Sequence, residues 1–243
     1  MPPLYCTLAI GKPYWRYARY LADDLADFGH KIVILTDGPG YFRSCKNALV
    51  QEFRPPVFHF NLKCHSHRAA IALAESIVMV DADSAISESN SISATRSSLH
   101  LDFAPGLHTW QRDSTSQYRY PEIEKIAQEW GLNFDLETVT YQERIIALRR
   151  DGREKQFLDL WEKFGEELYR RVGLHTGDGT VMAICAQAVG LATRGDSNPA
   201  IRQLGSVFIP IRHRYPMGFD LRPLRKFRAR RKGWPTAPTT FSP

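Results

Sequence analysis

The chain has few of the features that would narrow its role quickly. Its 243 residues include four cysteines, Cys6, Cys45, Cys64 and Cys185, and no two stand at Cys-x-x-Cys spacing. That spacing gives neither a zinc site nor a disulfide framework. Cys6 and Cys185 lie in apolar segments and read as buried thiols of a reducing compartment. No apolar stretch approaches the roughly eighteen residues needed to span a bilayer. The first residues enter a strand pattern at once rather than a signal peptide, so a cytoplasmic location is expected. Internal repeats are absent. A glycine-rich phosphate loop is absent too, since only Gly11-Lys12-Pro13 follows the first strand pattern. Hydrophobic content of 43% and charged content of 24% are ordinary for one globular domain of this length.

Acidic residues are missing from one region. None follows Asp220, while Arg222, Arg225, Lys226, Arg228, Arg230, Arg231 and Lys232 crowd together. Without those seven cations the net charge falls from +6 to −1, so the chain is not basic throughout but carries a basic tail. Pro235, Pro238 and Pro243 argue against an ordered end. Residues 221–243 therefore read as a tail suited to anionic lipid headgroups or nucleic acid, or as a plain solubilising terminus.

What is present begins with Asp81-Ala82-Asp83, directly after the apolar run Ile77-Val78-Met79-Val80. Four consecutive apolar residues predict a strand buried on both faces, as in a mostly parallel sheet. Two carboxylates at its end are costly unless a cation meets them. Mg²⁺ and Mn²⁺ prefer oxygen ligands, commonly one or two carboxylates plus substrate phosphates. By itself Asp-x-Asp is also what a solvated turn looks like.

The preceding residues repeat a strand–helix unit. Leu4–Ile10 is apolar, and Tyr14, Ala18, Leu21, Leu25 and Phe28 mark one helical face closed by Gly29. Residues 31–36 predict a second strand before the turn Asp37-Gly38-Pro39-Gly40, and Val57–Phe60 a short third strand. His65–Glu75 predicts a helix leading into the strand that ends at Asp81. Such alternation implies an α/β domain with a mostly parallel central sheet flanked by helices, and puts Gly11-Lys12, Asp37 and Asp81 on one sheet edge. Ligands bind at that carboxyl edge in open α/β sheets.

On these residues the chain resembles a known family. Leu8-Ala9-Ile10-Gly11-Lys12, the aromatic helix after it, Gly29-His30, Leu35-Thr36-Asp37-Gly38-Pro39 and Asp81-Ala82-Asp83 look like the N-terminal half of a GT-A glycosyltransferase. Within that superfamily the likeness is to the blood-group-type galactosyl and N-acetylgalactosaminyl transferases, over roughly residues 4–85. The resemblance implies a single Rossmann-like GT-A domain over residues 1–220 that uses Mn²⁺ or Mg²⁺. It would move a sugar from a nucleotide diphosphate, a UDP-sugar for preference, to a saccharide or other hydroxyl acceptor. Leu8, Ala9 and Ile10 would line the base pocket with Lys12 nearby, and Asp37 would lie near base or ribose. Asp81 would face the ribose or bind the metal through water, Asp83 would ligate the metal, and Lys63 and Arg68 would approach the phosphates. Bland readings stand beside these: Lys12 and Asp37 as turn residues, Lys63 and Arg68 as an exposed helix face.

Further along, Ser84–Ser98 predicts a surface loop, and Trp110, Arg112, Tyr118 and Tyr120 would help build the acceptor side of a glycosyltransferase or simply pack their aromatics on the core. Pro121–Trp130 predicts a helix, and Phe134–Leu148 one or two strands, with Glu143 a carboxylate in an apolar setting or simply an exposed strand residue. Phe157, Leu160, Trp161, Phe164, Leu168 and Val172 mark an amphipathic helix ended by Gly173, and a small-residue helix follows over Thr180–Val189. Asp178, between glycines at the mouth of that helix, is the candidate catalytic acid, able to contact donor sugar or acceptor hydroxyl. As an N-cap it would instead only stabilise the helix, by about 1 kcal/mol. The blood-group-type enzymes carry two adjacent acids here, whereas this chain has Asp178-Gly179, which leaves retaining or inverting chemistry open. After a strand predicted over Ser206–Ile211, His213 among Arg212 and Arg214 is a further candidate metal ligand or a surface residue. A different class of function is a non-catalytic protein that binds a membrane surface or nucleic acid through its tail, nucleic acid being the less expected partner.

Overall fold

A computed structural model describes residues 2–86, 99–100, 103–109, 121–135, 141, 143–173, 177–194 and 199–210. The elements are β1 (Leu4–Ala9), α1 (Lys12–Asp27), β2 (Ile32–Thr36), β3 (Ala48–Glu52), α2 (Lys63–Ile71), β4 (Ser76–Val80), β5 (Ser84–Ile86) and β6 (Gly106–Thr109). They continue with α3 (Pro121–Glu129), β7 (Ile145–Arg149), α4 (Glu154–Val172), α5 (Asp178–Ala188), β8 (Thr193–Arg194), α6 (Pro199–Val207) and β9 (Phe208–Pro210).

The main sheet has seven strands in the order β3-β2-β1-β4-β7-β6-β8, and β5 pairs with β9 in a separate ribbon. β3, β2, β1 and β4 are parallel neighbours, β7 is antiparallel to both β4 and β6, and β8 is parallel to β6. β7 alone therefore runs against the rest. The sheet is mixed and mostly parallel, as the alternation of strands and helices predicts.

Side-chain alternation along each strand feeds two cores. Cys6, Val33, Leu35, Ile77, Met79, Ile146 and Leu148 face one side, where Trp161, Phe164 and Met182 of α4 and α5 cover them. Tyr5, Ile32, Ile34, Val78, Val80, Ile145 and Ala147 face the other, under Leu21 and Leu25 of α1 and Leu204 of α6. β4 is buried along its whole length, because it has a strand on each side and helices on each face. No helix among the described residues is long and apolar enough to cross a membrane.

Several boundaries differ from the sequence expectation. The third strand is not Val57–Phe60 but β3, and Phe60–Leu62 form a 3-10 turn running into α2. As an edge strand β3 buries neither face fully, so its polar tail Gln51-Glu52 is tolerated, while Pro55-Pro56 offers no N–H for a ladder. The expected helix over 65–75 is shorter and shifted to Lys63–Ile71. Ser84–Ile86 is not loop but the fully buried strand β5; the rest of the serine-rich stretch lies outside the described residues, as do Trp110, Arg112, Tyr118, Tyr120 and the tail. Among the described residues of the stretch 134–148, the strand β7 begins at Ile145, so Glu143 lies ahead of it rather than within it. Ser206 and Val207 close α6, and β9 starts at Phe208. Gly173 ends α4 at φ 64°, as expected.

Candidate functional site

Three elements meet where β4 ends. Asp81 turns the chain, its C=O accepting the Ser84 N–H at 3.0 Å, while its own N–H donates to the Arg144 C=O at 3.0 Å. Because β7 is reversed, its first end arrives where the parallel strands finish, and it brings Glu143 and Arg144 to Asp81. α2 and α5 both begin at this edge, with Lys63 and Asp178 as their first residues.

The local sequence explains both helix starts. Ahead of α2, Asn61 is buried and its Oδ1 accepts the Trp161 Nε1–H at 2.8 Å, fixing the 3-10 turn to α4. Gly165 makes that approach possible, since a Cβ there would sit 2.4 Å from Asn61 Cβ. In α5, a Cβ on Gly179 would lie 2.1 Å from the Tyr141 C=O and 3.4 Å from Glu143 Cδ, so only glycine lets the first turn pack on the 141–143 segment. Gly177 occupies the cap position, with no side-chain cap. Asp178 is therefore not an N-cap but a buried first-turn acid, where the helix dipole favours negative charge.

Lys63 Nζ is the centre of the cluster. It lies 2.9 Å from Asp81 Oδ1 and 3.1 Å from Asp178 Oδ2, and 5.6 Å from the Phe60 ring centroid. The contact with Asp178 Oδ2 is an ion pair without hydrogen-bond alignment. Burial by itself would lower the Lys63 pKa, but Asp178, Asp81 and Glu143 hold it above the ordinary lysine range, so the ammonium is permanent. Asp81 is raised by desolvation and by Asp83, with Lys63 opposing. Burial, then the charge and hydrogen bond of Asp178, push Glu143 up to about 8. Arg144 is lowered by burial, with Asp81 and Asp83 opposing. Like charges held close in a partly desolvated site disfavour ionisation of both, which is why Asp178 raises Glu143.

Of the residues expected from sequence, Lys63, Asp81 and Asp178 come together, with Asp83 in the adjoining turn. Leu8, Ala9 and Ile10 lie at the end of β1, Ala9 buried and the others half-buried, and Lys12 is exposed at the start of α1. Asp37 Oδ1 accepts from the Gly11 N–H at 2.9 Å and from Trp15 Nε1 at 2.6 Å, so it fastens the first turn to the end of β2. Arg68 is not brought to the cluster; it bonds Glu162 at 2.5 Å and Asp159 at 2.9 Å on α4. His213 lies outside the described residues. Among the described residues no group of three His, Cys, Asp or Glu side chains is placed to hold a metal ion. The Lys63 ammonium stands by both Asp81 and Asp178 and already offsets their charge, and Arg144 interacts with Asp81 and Asp83.

Glu143 and Arg144 are the members that motif reading underrates. Their signal is position: they immediately precede an apolar run, as Asp81 immediately follows one. Only the reversed direction of β7 turns those two facts into neighbours. No protein-family model matches the chain, and no curated protein is significantly similar to it.

Proposed function

We propose that this chain is a metal-assisted glycosyltransferase that moves a sugar from a nucleotide diphosphate, a UDP-sugar for preference, to an acceptor hydroxyl. The observation that carries the reading is the Lys63–Asp81–Asp178–Glu143 cluster at the carboxyl edge of a mostly parallel sheet. In the transfer the acceptor oxygen bonds to the anomeric carbon while the bond from that carbon to the phosphate oxygen breaks. The electron pair leaves with the diphosphate, and the acceptor's proton passes to the Asp178 carboxylate or to the departing diphosphate.

The ends of β1 and β2, at Leu8–Ile10 and Asp37, are the ledge for the nucleoside. Lys63 and Arg144 supply positive charge toward the leaving diphosphate, the group whose charge grows most in the transition state. Asp178 offers its carboxylate to a hydroxyl of donor or acceptor. A bound Mn²⁺ or Mg²⁺, held through Asp83, would add further charge compensation at the diphosphate.

A thermal-shift panel of nucleotide sugars with and without Mn²⁺ tests this, because a ligand that binds only the folded state raises Tm. UDP binding that strengthens with Mn²⁺ and is lost in Asp83→Ala is the expected result. No shift with any nucleotide or nucleotide sugar would sink it. If polyanion affinity then vanished on removal of residues 222–243, the tail-driven reading would replace it.

A further inference from the structure

We propose that Glu143 and Asp178 form one acid pair holding a single proton, in which Glu143 is the positioning residue that donates to Asp178 and fixes that carboxylate beside Lys63. What the pair serves rests on the glycosyl-transfer reading; its existence does not.

The argument starts from packing. Asp178 is 3% exposed. Gly179 lets α5 close on the Tyr141 C=O, and the same approach sets Glu143 Cδ against that first turn. The Glu143 carboxyl meets the turn that carries Asp178, and the charge and hydrogen bond of Asp178 raise it, as expected of two carboxyls that share one proton. The charged group facing the pair is Lys63 from α2, which also meets Asp81, whereas Arg144, next in sequence to Glu143, interacts with Asp81 and Asp83. Lys63 reaches Asp178 at 3.1 Å and Asp81 at 2.9 Å, so the ammonium offsets those carboxylates and Glu143 is the group left to hold the proton. Its carboxyl, pushed up to about 8, keeps that proton through the neutral range.

The arrangement does something a salt bridge alone would not. Lys63 restrains Asp178 by its charge, and the Glu143 O–H restrains it by a hydrogen bond. Once Glu143 ionises, two anions are in contact, repulsion replaces the hydrogen bond, and Asp178 loses its fixed orientation. A misplacement of about 1 Å at a reacting group can cost about a hundredfold in rate.

The first measurement is the infrared carboxylic-acid C=O band of the full chain. The expected result is a protonated carboxyl at neutral pH that titrates near pH 8 and is missing in Glu143→Gln. In Asp178→Asn the band should titrate at lower pH, because the repelling charge is gone; this variant keeps the test alive if Glu143→Gln does not fold. Absence of the band, or a midpoint that Asp178→Asn does not move, overturns the proposal. For the positioning role, Glu143→Ala should lower kcat for a nucleotide-sugar substrate about a hundredfold with KM little changed. Glu143→Gln, which keeps an N–H donor, should recover much of that loss and abolish the alkaline limb near pH 8. A Glu143→Gln enzyme no better than Glu143→Ala, with its alkaline limb intact, overturns the role. A titrating band in a chain with no nucleotide-sugar affinity supports the acid pair and removes the glycosyl-transfer reading instead.

Discussion

Lys63 Nζ and Asp178 Oδ2 stand 3.1 Å apart, each on the first residue of its helix. A cation at a helix N-terminus opposes the macrodipole, and an anion there is favoured. The pairing therefore sets one unfavourable placement against a favourable one, and Asp81 on the lysine's other side tips the balance. The cluster depends on the lysine more than on any single acid.

Lys63→Met should accordingly be strongly destabilising, by about 3–5 kcal/mol, since it leaves the buried Asp178 and the half-buried Asp81 without their cation. Adding Asp178→Asn should return part of that loss, because one stranded charge is removed. Urea unfolding of the two single variants and the double variant reads the coupling, which should be well above the about 0.5 kcal/mol typical of independent sites.

Glu143 makes stability depend on pH in an unusual direction. Its carboxyl is pushed from an ordinary 4.5 up to about 8, so the folded chain holds a proton that the unfolded chain has released. The stabilising effect is complete below about 4.5 and is lost as pH rises through about 8. The raised Asp81 acts in the same sense. Thermal melts should show Tm falling from about pH 5 to pH 8, with a shallower slope in Glu143→Gln.

Three glycines separate close packing from mere flexibility. Gly179→Ala would drive a Cβ into the Tyr141 C=O, and Gly165→Ala would drive one into Asn61 Cβ, at 2.1 and 2.4 Å. Each should cost about 1–3 kcal/mol in chemical denaturation. Gly40→Ala meets nothing within 4 Å and should be neutral, or stabilising by about 0.5 kcal/mol.

Asp37 has a structural duty that its turn-forming sequence hides. Asp37→Ala removes the acceptor for the Gly11 N–H and the Trp15 indole, and should cost about 1–3 kcal/mol. Asp37→Asn keeps an acceptor oxygen and should cost less. Trp15 emission in an otherwise tryptophan-matched background reports whether the indole is released.

Local rules made the first half of the fold legible. Nearly continuous apolar runs in Tyr5–Ala9, Ile32–Leu35 and Ile77–Val80, with glycines closing the helices, are enough to place Asp81 at a sheet edge. The third strand is hard to read because Ala48–Glu52 is an edge strand with half-buried alternation and two polar residues, a weak signal beside Val57–Phe60. At the site, carboxylates are visible as residues, but their neighbours are not. Lys63 reads as one lysine of an exposed helix face until the 3-10 turn before it is known to be locked by Trp161. Glu143 reads as an isolated acid until β7 is known to run backwards.

That reversed strand also sets an order of events. β4 receives its second neighbour only from Ile145–Arg149, roughly sixty residues beyond the end of β5. Until those residues leave the ribosome, Ser76–Val80 is an apolar edge open to any other extended chain. At about 5–20 residues per second that interval lasts seconds. Asp81 and Asp83, standing at the tip of the unpaired strand, put two negative charges where another chain would begin to add. Charge at the tip of an open edge is one of the ways proteins discourage such pairing.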